Sequence, residues 1–243
     1  MGSGQIALSP ISYKGGGFLR LPKLDERLLA AAELFPPCRL GADIGTDHGR
    51  LPLYLLASGR CERMVVSDIS GPALLKAREL ITRHHFEGQA VFAQADGLNA
   101  LHEPAQAIAI LGMGGDTMRS ILAAGQSKLQ NAALILSPHT ELHIVREALQ
   151  GIGYRIAKET IARSGGRFYV ILLAQPGNEA YTEKELLLGP CLLREKPPLF
   201  LDYLRWRQRV ADKAIQAMKN TDDTDHRMAE FLRLYEYIRE ELP

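Results

Sequence analysis

Short apolar runs alternate along this chain with stretches whose apolar residues recur at three- and four-residue steps. The first pattern reads as buried strand, the second as amphipathic helix. Helical spacing over 24–34 stops at Phe35-Pro36-Pro37, a helix-terminating signal. The stretch Arg39-Leu-Gly-Ala-Asp-Ile-Gly-Thr-Asp-His-Gly-Arg-Leu-Pro52 opens as a strand ending at Asp43-Ile44. It turns through Gly45 and Gly49 and continues as a helix over 51–57. The same alternation predicts strands over 63–68, 90–94, 107–111 and 132–136, with helices over 71–84, 116–124 and 142–150. Units of this length predict a mainly parallel sheet. Segments 154–161 and 167–173, joined by Arg163-Ser-Gly-Gly166, predict an antiparallel hairpin at the sheet edge.

After Gln175-Pro176-Gly177 the pattern changes. Phe200, Tyr203, Leu204, Ala211, Ile215 and Met218 fall at helical steps, Asn220-Thr-Asp-Asp223 interrupts them, and Met228, Phe231, Leu232, Tyr235 and Ile238 resume. Two amphipathic helices joined by a polar turn predict an antiparallel, coiled-coil-like pair. The expected division is a flexible leader over 1–20, an α/β domain over 21–177 and a helical C-terminal domain over 178–243. Five alternating units with a terminal hairpin fit a Rossmann-like class I methyltransferase sheet better than a dehydrogenase one.

Composition narrows this picture only slightly. The 243 residues, 46% hydrophobic and 23% charged, are enough for a sizeable core. A net charge of +1 supplies no global field for nucleic acid, so any such role needs a local patch. Cys38, Cys61 and Cys191 are odd in number and lack metal-ligand spacing, which predicts reduced thiols in a cytoplasmic protein and no metal. No apolar run reaches the ~18 residues of a membrane span.

The candidate chemistry lies at the strand ends. In a parallel sheet, ligands bind beyond the carboxyl ends of the strands near the point where strand order reverses. Here successive strands end in Asp43, Asp68, Asp96 and the loop Gly112-Met-Gly-Gly115. The Gly45 turn lacks the G-x-G-x-x-G spacing of a dinucleotide site. A carboxylate before its first glycine would repel a pyrophosphate but suits an ammonium, such as the amino-acid end of S-adenosylmethionine. Asp68 is placed to hold a ribose diol, and Asp96 to accept from an adenine amino group. Each acid alone also has an ordinary use as a turn or cap residue.

These residues resemble a known family. Leu24-Asp-Glu-Arg27, Asp43-Ile-Gly-Thr-Asp-His-Gly49, Asp96-Gly97, Gly112-Met-Gly-Gly115 and Gly189-Pro-Cys-Leu-Leu-Arg-Glu-Lys196 look like the bacterial tRNA (adenine-N1)-methyltransferase family TrmK, which acts on the adenine at tRNA position 22. The resemblance spans about 21–242. It implies a Rossmann-like methyltransferase domain with a C-terminal coiled-coil domain, S-adenosyl-L-methionine as cofactor and tRNA as partner, without an obligate protein partner. It implies a cofactor site lined by Asp43, Gly45, Asp68, Asp96, Gly97 and Met113, with Thr46, His48, Ile69 and Gly112 beside them. Arg27, counted with the cofactor-binding residues, matches a basic residue near the site mouth, and Asp47 an acid beside the reaction centre. Two segments depart from the family's pattern. The chain has Leu136-Ser-Pro-His139 where the family often reads Leu-Gln-Pro-Asn, and Gly166-Arg-Phe-Tyr-Val170 where it often reads Gly-Lys-x-Tyr-Glu.

The loop chemistry fits a ring nitrogen better than an exocyclic amine. Gly112-Met-Gly-Gly115 has neither the prolines nor the aromatic ring of the Asn/Asp-Pro-Pro-aromatic loop usual for amine methylation. Adenine N1 carries an in-plane lone pair, and a carboxylate such as Asp47 would stabilise the cation as it forms; the alternative for Asp47 is a helix N-cap. His48 either orients cofactor or base or scaffolds the turn. Tyr169 or Phe168 either stacks on the base or packs in the core. Arg194, Lys196, Arg205, Arg207 and Arg209 form the best local patch for RNA, the alternative being a solvated helix face. Other readings are a same-fold methyltransferase with another substrate, and a non-catalytic cofactor-binding RNA-binding protein. A nicotinamide dehydrogenase is opposed by the missing glycine fingerprint.

Overall fold

A computed structural model describes residues 22–218 and 225–243; the expected leader and the 220–223 turn lie outside them. The N-terminal helix α1 (Glu26–Leu34) is capped by Asp25, whose carboxylate accepts the Leu28 amide at 2.9 Å. Alternating elements follow: β1 (Cys38–Ile44), α2 (Arg50–Ala57), β2 (Cys61–Asp68), α3 (Gly71–Arg83), β3 (Ala90–Gln94) and β4 (Ala107–Leu111). Then come α4 (Gly115–Ala124), the short α5 (Gln126–Leu129), β5 (Ala133–Ser137), α6 (Leu142–Gly151), β6 (Tyr154–Ser164) and β7 (Arg167–Pro176).

The seven strands form one sheet in the order β3-β2-β1-β4-β5-β7-β6. β1 to β5 pair in parallel, while β7 runs antiparallel to both β5 and β6. The predicted hairpin therefore slots its second strand inward and leaves β6 at the edge. Its reversal takes only Gly165 and Gly166, at φ 56° and 76°, so the pairing extends to Ser164 and Arg167. Side chains alternate between two buried faces, as a sheet covered on both sides requires. In β4, Ala107, Ala109 and Leu111 pack with α1, α2 and α3, whereas Ile108 and Ile110 pack with α4 and α6 through Met118, Leu122, Val145 and Leu149.

The sequence pattern does not predict α7 (Glu183–Leu188) or α8 (Pro190–Glu195). Six residues each are too few to display a helical period, although Thr182 and Glu185 form a reciprocal capping box at α7. The amphipathic pair is present as α9 (Phe200–Met218) and α10 (Asp225–Glu241). Its seam runs through Leu234 and Ile238, and Leu232, predicted to face inward, is 49% exposed. Leu188, Cys191, Leu192, Phe200 and Leu204 share one continuous core with the sheet residues around Ile156 and Leu172.

A fully buried ion pair ties these short helices to the sheet. Arg146 of α6 donates through Nε and Nη2 to Glu159 Oε1 of β6 at 3.0 and 2.7 Å, and through Nη1 to the Leu186 carbonyl at 2.6 Å. Glu159 Oε2 accepts the Cys191 amide at 2.9 Å and the Leu192 amide at 3.3 Å. Where β6 shifts register between Ile156 and Lys158, the Ile156 amide donates to the Tyr181 hydroxyl at 2.7 Å. No helix among the described residues is long and apolar enough to cross a membrane.

Candidate active site

Strand order reverses between β1 and β4, and a cleft of about 710 Å³ opens above their carboxyl ends. Arg27, Asp43, Gly45, Thr46, Asp47, His48, Asp68, Ile69, Asp96, Gly97, Gly112 and Met113 all line it. Leu28, Arg50, Thr117 and Ile121 line it too. Leu28 and Ile121 lie inside predicted helices as ordinary apolar residues, and nothing in the local sequence marks any of the four for a cleft.

The β1 turn is built from bare backbone. Gly45, at φ 75°, donates its amide to the Ser67 carbonyl at 2.8 Å, and the Thr46 amide donates to the same oxygen at 2.9 Å. A Cβ on Gly45 would stand 2.1 Å from Met113 Cε and push that side chain aside, and the left-handed φ itself favours glycine here. Asp43 at the strand end is 4% exposed, and its Oδ2 accepts the Thr46 hydroxyl at 2.7 Å. Burial pushes its carboxyl up to about 6; the Thr46 bond and the Arg27 charge act against that rise, and Asp68 adds to it.

Asp68 clamps the turn from β2. Its Oδ1 accepts the Ser70 amide at 2.9 Å and its Oδ2 the Asp47 amide at 3.1 Å, which leaves lone pairs on both oxygens for a ligand. Ile69 beside it is 68% exposed and presents an apolar face to the cleft. Asp96 is exposed and precedes a single 3-10 turn over Gly97–Ala100.

Asp47 is not a helix cap. It adopts left-handed backbone at φ 53°, and the N-cap position of α2 falls on Gly49. The Asp47 carboxylate stands 2.5 Å from His48 Nδ1, with the two side chains 71% and 49% exposed. At the far side of the cleft, Arg27 Nη1 lies 3.4 Å from His139 Nε2, and its guanidinium carbon lies 5.5 Å from the centre of the Tyr169 ring. Phe168 faces the other way, against Tyr203 and Trp206. Of the two hairpin aromatics, only Tyr169 approaches the cleft residues.

The five basic residues considered for RNA are used unequally. Arg207 donates to the Leu187 carbonyl and lies over the Tyr203 ring, which makes it a packing residue. Arg194, Lys196, Arg205 and Arg209 are exposed. Arg205 pairs with Asp202 at 3.2 Å, Arg194 with Glu195 at 3.3 Å and Lys196 with Glu241 at 2.9 Å.

An inserted antiparallel seventh strand, acids at the ends of three adjacent strands and a glycine turn lacking the dinucleotide spacing define a Rossmann-like class I methyltransferase. The family model for TrmK, tRNA (adenine(22)-N(1))-methyltransferase, matches residues 41–238, and the chain belongs to that family. It is similar to the tRNA (adenine(22)-N(1))-methyltransferase of Bacillus subtilis, 30% identical over 231 residues that cover 90% of this chain and 96% of the relative. The crystal structure of B. subtilis TrmK superposes with a TM-score of 0.79 at 28% identity, over 91% of this chain and 100% of that one. A Streptococcus pneumoniae protein solved in complex with S-adenosyl-L-methionine superposes with a TM-score of 0.80 at 26% identity, again over 91% and 100%.

Proposed function

We propose that this chain methylates N1 of the adenine at position 22 of tRNA, using S-adenosyl-L-methionine bound in the β1–β4 cleft. The observation that carries the reading is the buried Asp43 carboxylate beside the bare Gly45 backbone. A carboxylate held in so dry a place, with one hydroxyl donor, suits an ammonium ligand. Asp68 and Asp96, both lining the cleft, are the proposed partners of the ribose hydroxyls and the adenine amino group, and exposed Ile69 is the proposed apolar contact of the nucleoside.

When bound, S-adenosylmethionine supplies an electrophilic methyl group on a sulfonium sulfur, which the N1 lone pair takes as the carbon–sulfur bond breaks. The protein's share is alignment and charge. The cleft walls hold the two reactants in line, and Asp47, steadied by His48, faces the positive charge that builds on the purine. Asp47→Ala is expected to lower kcat roughly 100-fold while cofactor affinity changes less than about threefold. Transfer of radiolabelled methyl to tRNA lacking the modification, followed by nucleoside analysis, checks this. Labelled 1-methyladenosine from the native protein supports the reaction, and the absence of label in any tRNA would rule it out.

Arg194, Lys196, Arg205 and Arg209 are the proposed tRNA backbone contacts, with Arg205 and Arg209 one helical turn apart on α9. The double substitution Arg205→Glu and Arg209→Glu is expected to weaken tRNA binding by tenfold or more near 0.1 M salt. It should also lower the slope of log affinity against log salt by about two. Filter binding across a salt series measures both. An unchanged slope would assign the residues to the solvated surface.

A further inference from the structure

The cleft has two chemically distinct ends. Asp43, Asp68 and Asp96 make one acidic, and Arg27, His139 and Tyr169 make the other cationic and aromatic. The second end gathers residues from α1, the loop after β5, and β7: Arg27 and His139 stand beside Gly112, and Tyr169 lies next to both of them. That residue lies at φ 79°, and a Cβ there would sit 2.9 Å from Arg27 Nη1 and 3.6 Å from His139 Nε2. The His139 backbone is itself fixed, because its amide donates to the Met113 carbonyl at 2.8 Å.

The Arg27 guanidinium makes two contacts here. It lies over the Tyr169 ring at 5.5 Å, and its Nη1 points to His139 Nε2 at 3.4 Å. A guanidinium can only donate, so this contact is a hydrogen bond only with Nε2 as acceptor, in a neutral imidazole that carries its proton on Nδ1. Burial, together with the Arg27 and Arg167 charges, holds the His139 ring below its ordinary protonation range, in keeping with that tautomer.

A flat cation lying over an aromatic ring, with an N–H directed at an imidazole nitrogen, occupies the kind of place that an adenine would fill by stacking on the ring and donating through its exocyclic amino group. We propose that Arg27 occupies the seat of the acceptor adenine in the free protein, and that the incoming base displaces it to stack on Tyr169 and donate its N6 hydrogen to His139 Nε2. This rests on the tRNA adenine-methylating function proposed above. The Watson–Crick edge of a base must be unpaired before N1 can react, and a seat that reads the exposed edge is how such enzymes select their base. In this seat His139 separates adenine from guanine. A guanine O6 would bring an acceptor against the acceptor Nε2 and leave both unpaired. The displaced Arg27 becomes available to a phosphate at the cleft mouth.

The test pairs substitutions in the protein with a change in the base. A tRNA carrying unsubstituted purine in place of the target adenine keeps the N1 lone pair and lacks the amino group. The native protein is expected to favour adenine over purine in kcat/KM by a factor on the order of 100. In His139→Ala that preference should fall by about tenfold, while S-adenosylhomocysteine affinity measured by calorimetry stays within about twofold. His139→Asn, whose Oδ1 also accepts, is expected to keep most of the preference, which separates base reading from a general loss of folding. Tyr169→Leu should lower affinity for adenine- and purine-bearing tRNA alike, about tenfold. A native-like preference in His139→Ala, with methylation intact, would overturn the seat and leave the proposed function standing. If the native protein methylates no tRNA at all, both fall.

Discussion

The Asp43→Asn substitution is expected to stabilise the folded protein while removing tight cofactor binding. Asp43 is 4% exposed, and its carboxyl is pushed up to about 6 from the ordinary 3.8. Between those two values the folded chain holds a proton that the unfolded chain has released, so stability falls as pH rises across the window. Above pH 6 both states are ionised and the penalty is complete, about 3 kcal/mol for a shift of about two units. An amide in the same place carries no charge to desolvate and still accepts the Thr46 hydroxyl. Denaturant unfolding at pH 7 should therefore show a gain of about 2–3 kcal/mol, and the pH dependence between about 4 and 6 should flatten. Binding should move the other way. Removing the buried carboxylate proposed to meet the cofactor's ammonium is expected to weaken affinity roughly a thousandfold, within the 2–5 kcal/mol typical of a broken buried charge pair. In the native protein the same affinity should fall as pH drops below 6. Calorimetry decides this, and native-like affinity in Asp43→Asn would mean that the ammonium lies elsewhere.

The second large effect lies far from the cleft. Arg146→Met is expected to cost about 3–5 kcal/mol, because it strands the Glu159 carboxylate at 0% exposure with only two backbone amides for company. The loss should exceed that of an ordinary core truncation of similar size, since the Leu186 carbonyl loses its donor as well. Pairing it with Glu159→Leu removes the stranded charge. The double variant should recover at least 1 kcal/mol relative to the sum of the singles. Midpoints of guanidinium unfolding for the four proteins complete the cycle, and a single-substitution cost below about 1 kcal/mol would show that the pair contributes nothing net.

The contrast between these two sites shows what the sequence makes legible. Asp43, Asp68 and Asp96 stand out because each ends a short apolar run, and a parallel sheet puts all such ends on one side. Periodicity supplied the strands, and strand ends located the cleft. Arg146 and Glu159 stand out from nothing. They are charged residues inside otherwise ordinary patterns, 13 positions apart, and only the packing of α6 against β6 makes them partners. The α7 and α8 helices were hidden by their length. Tyr169 and Phe168 are neighbours of similar chemistry, and the alternation of a strand sends one toward the cleft and the other toward α9. Arg207 reads as a surface cation in sequence and becomes a packing residue once the Leu187 carbonyl lies beside it.

The shift in β6 at Ile156 bears on how the margin of the sheet is covered. β6 is one of the sheet's two edges, β3 being the other, and an uncovered edge strand offers unpaired amides and carbonyls to any passing chain. Here the Tyr181 hydroxyl takes the Ile156 amide and the Cys191 thiol approaches its carbonyl at 3.5 Å, while Glu159 on the same strand is tethered to the start of α8. The segment after the hairpin therefore acts as a cover strip along the sheet margin. A protein trimmed back to the end of β7 would keep every strand-end residue of the cleft, yet it would bare this margin and strip Arg146 and Glu159 of their partners at Leu186, Cys191 and Leu192.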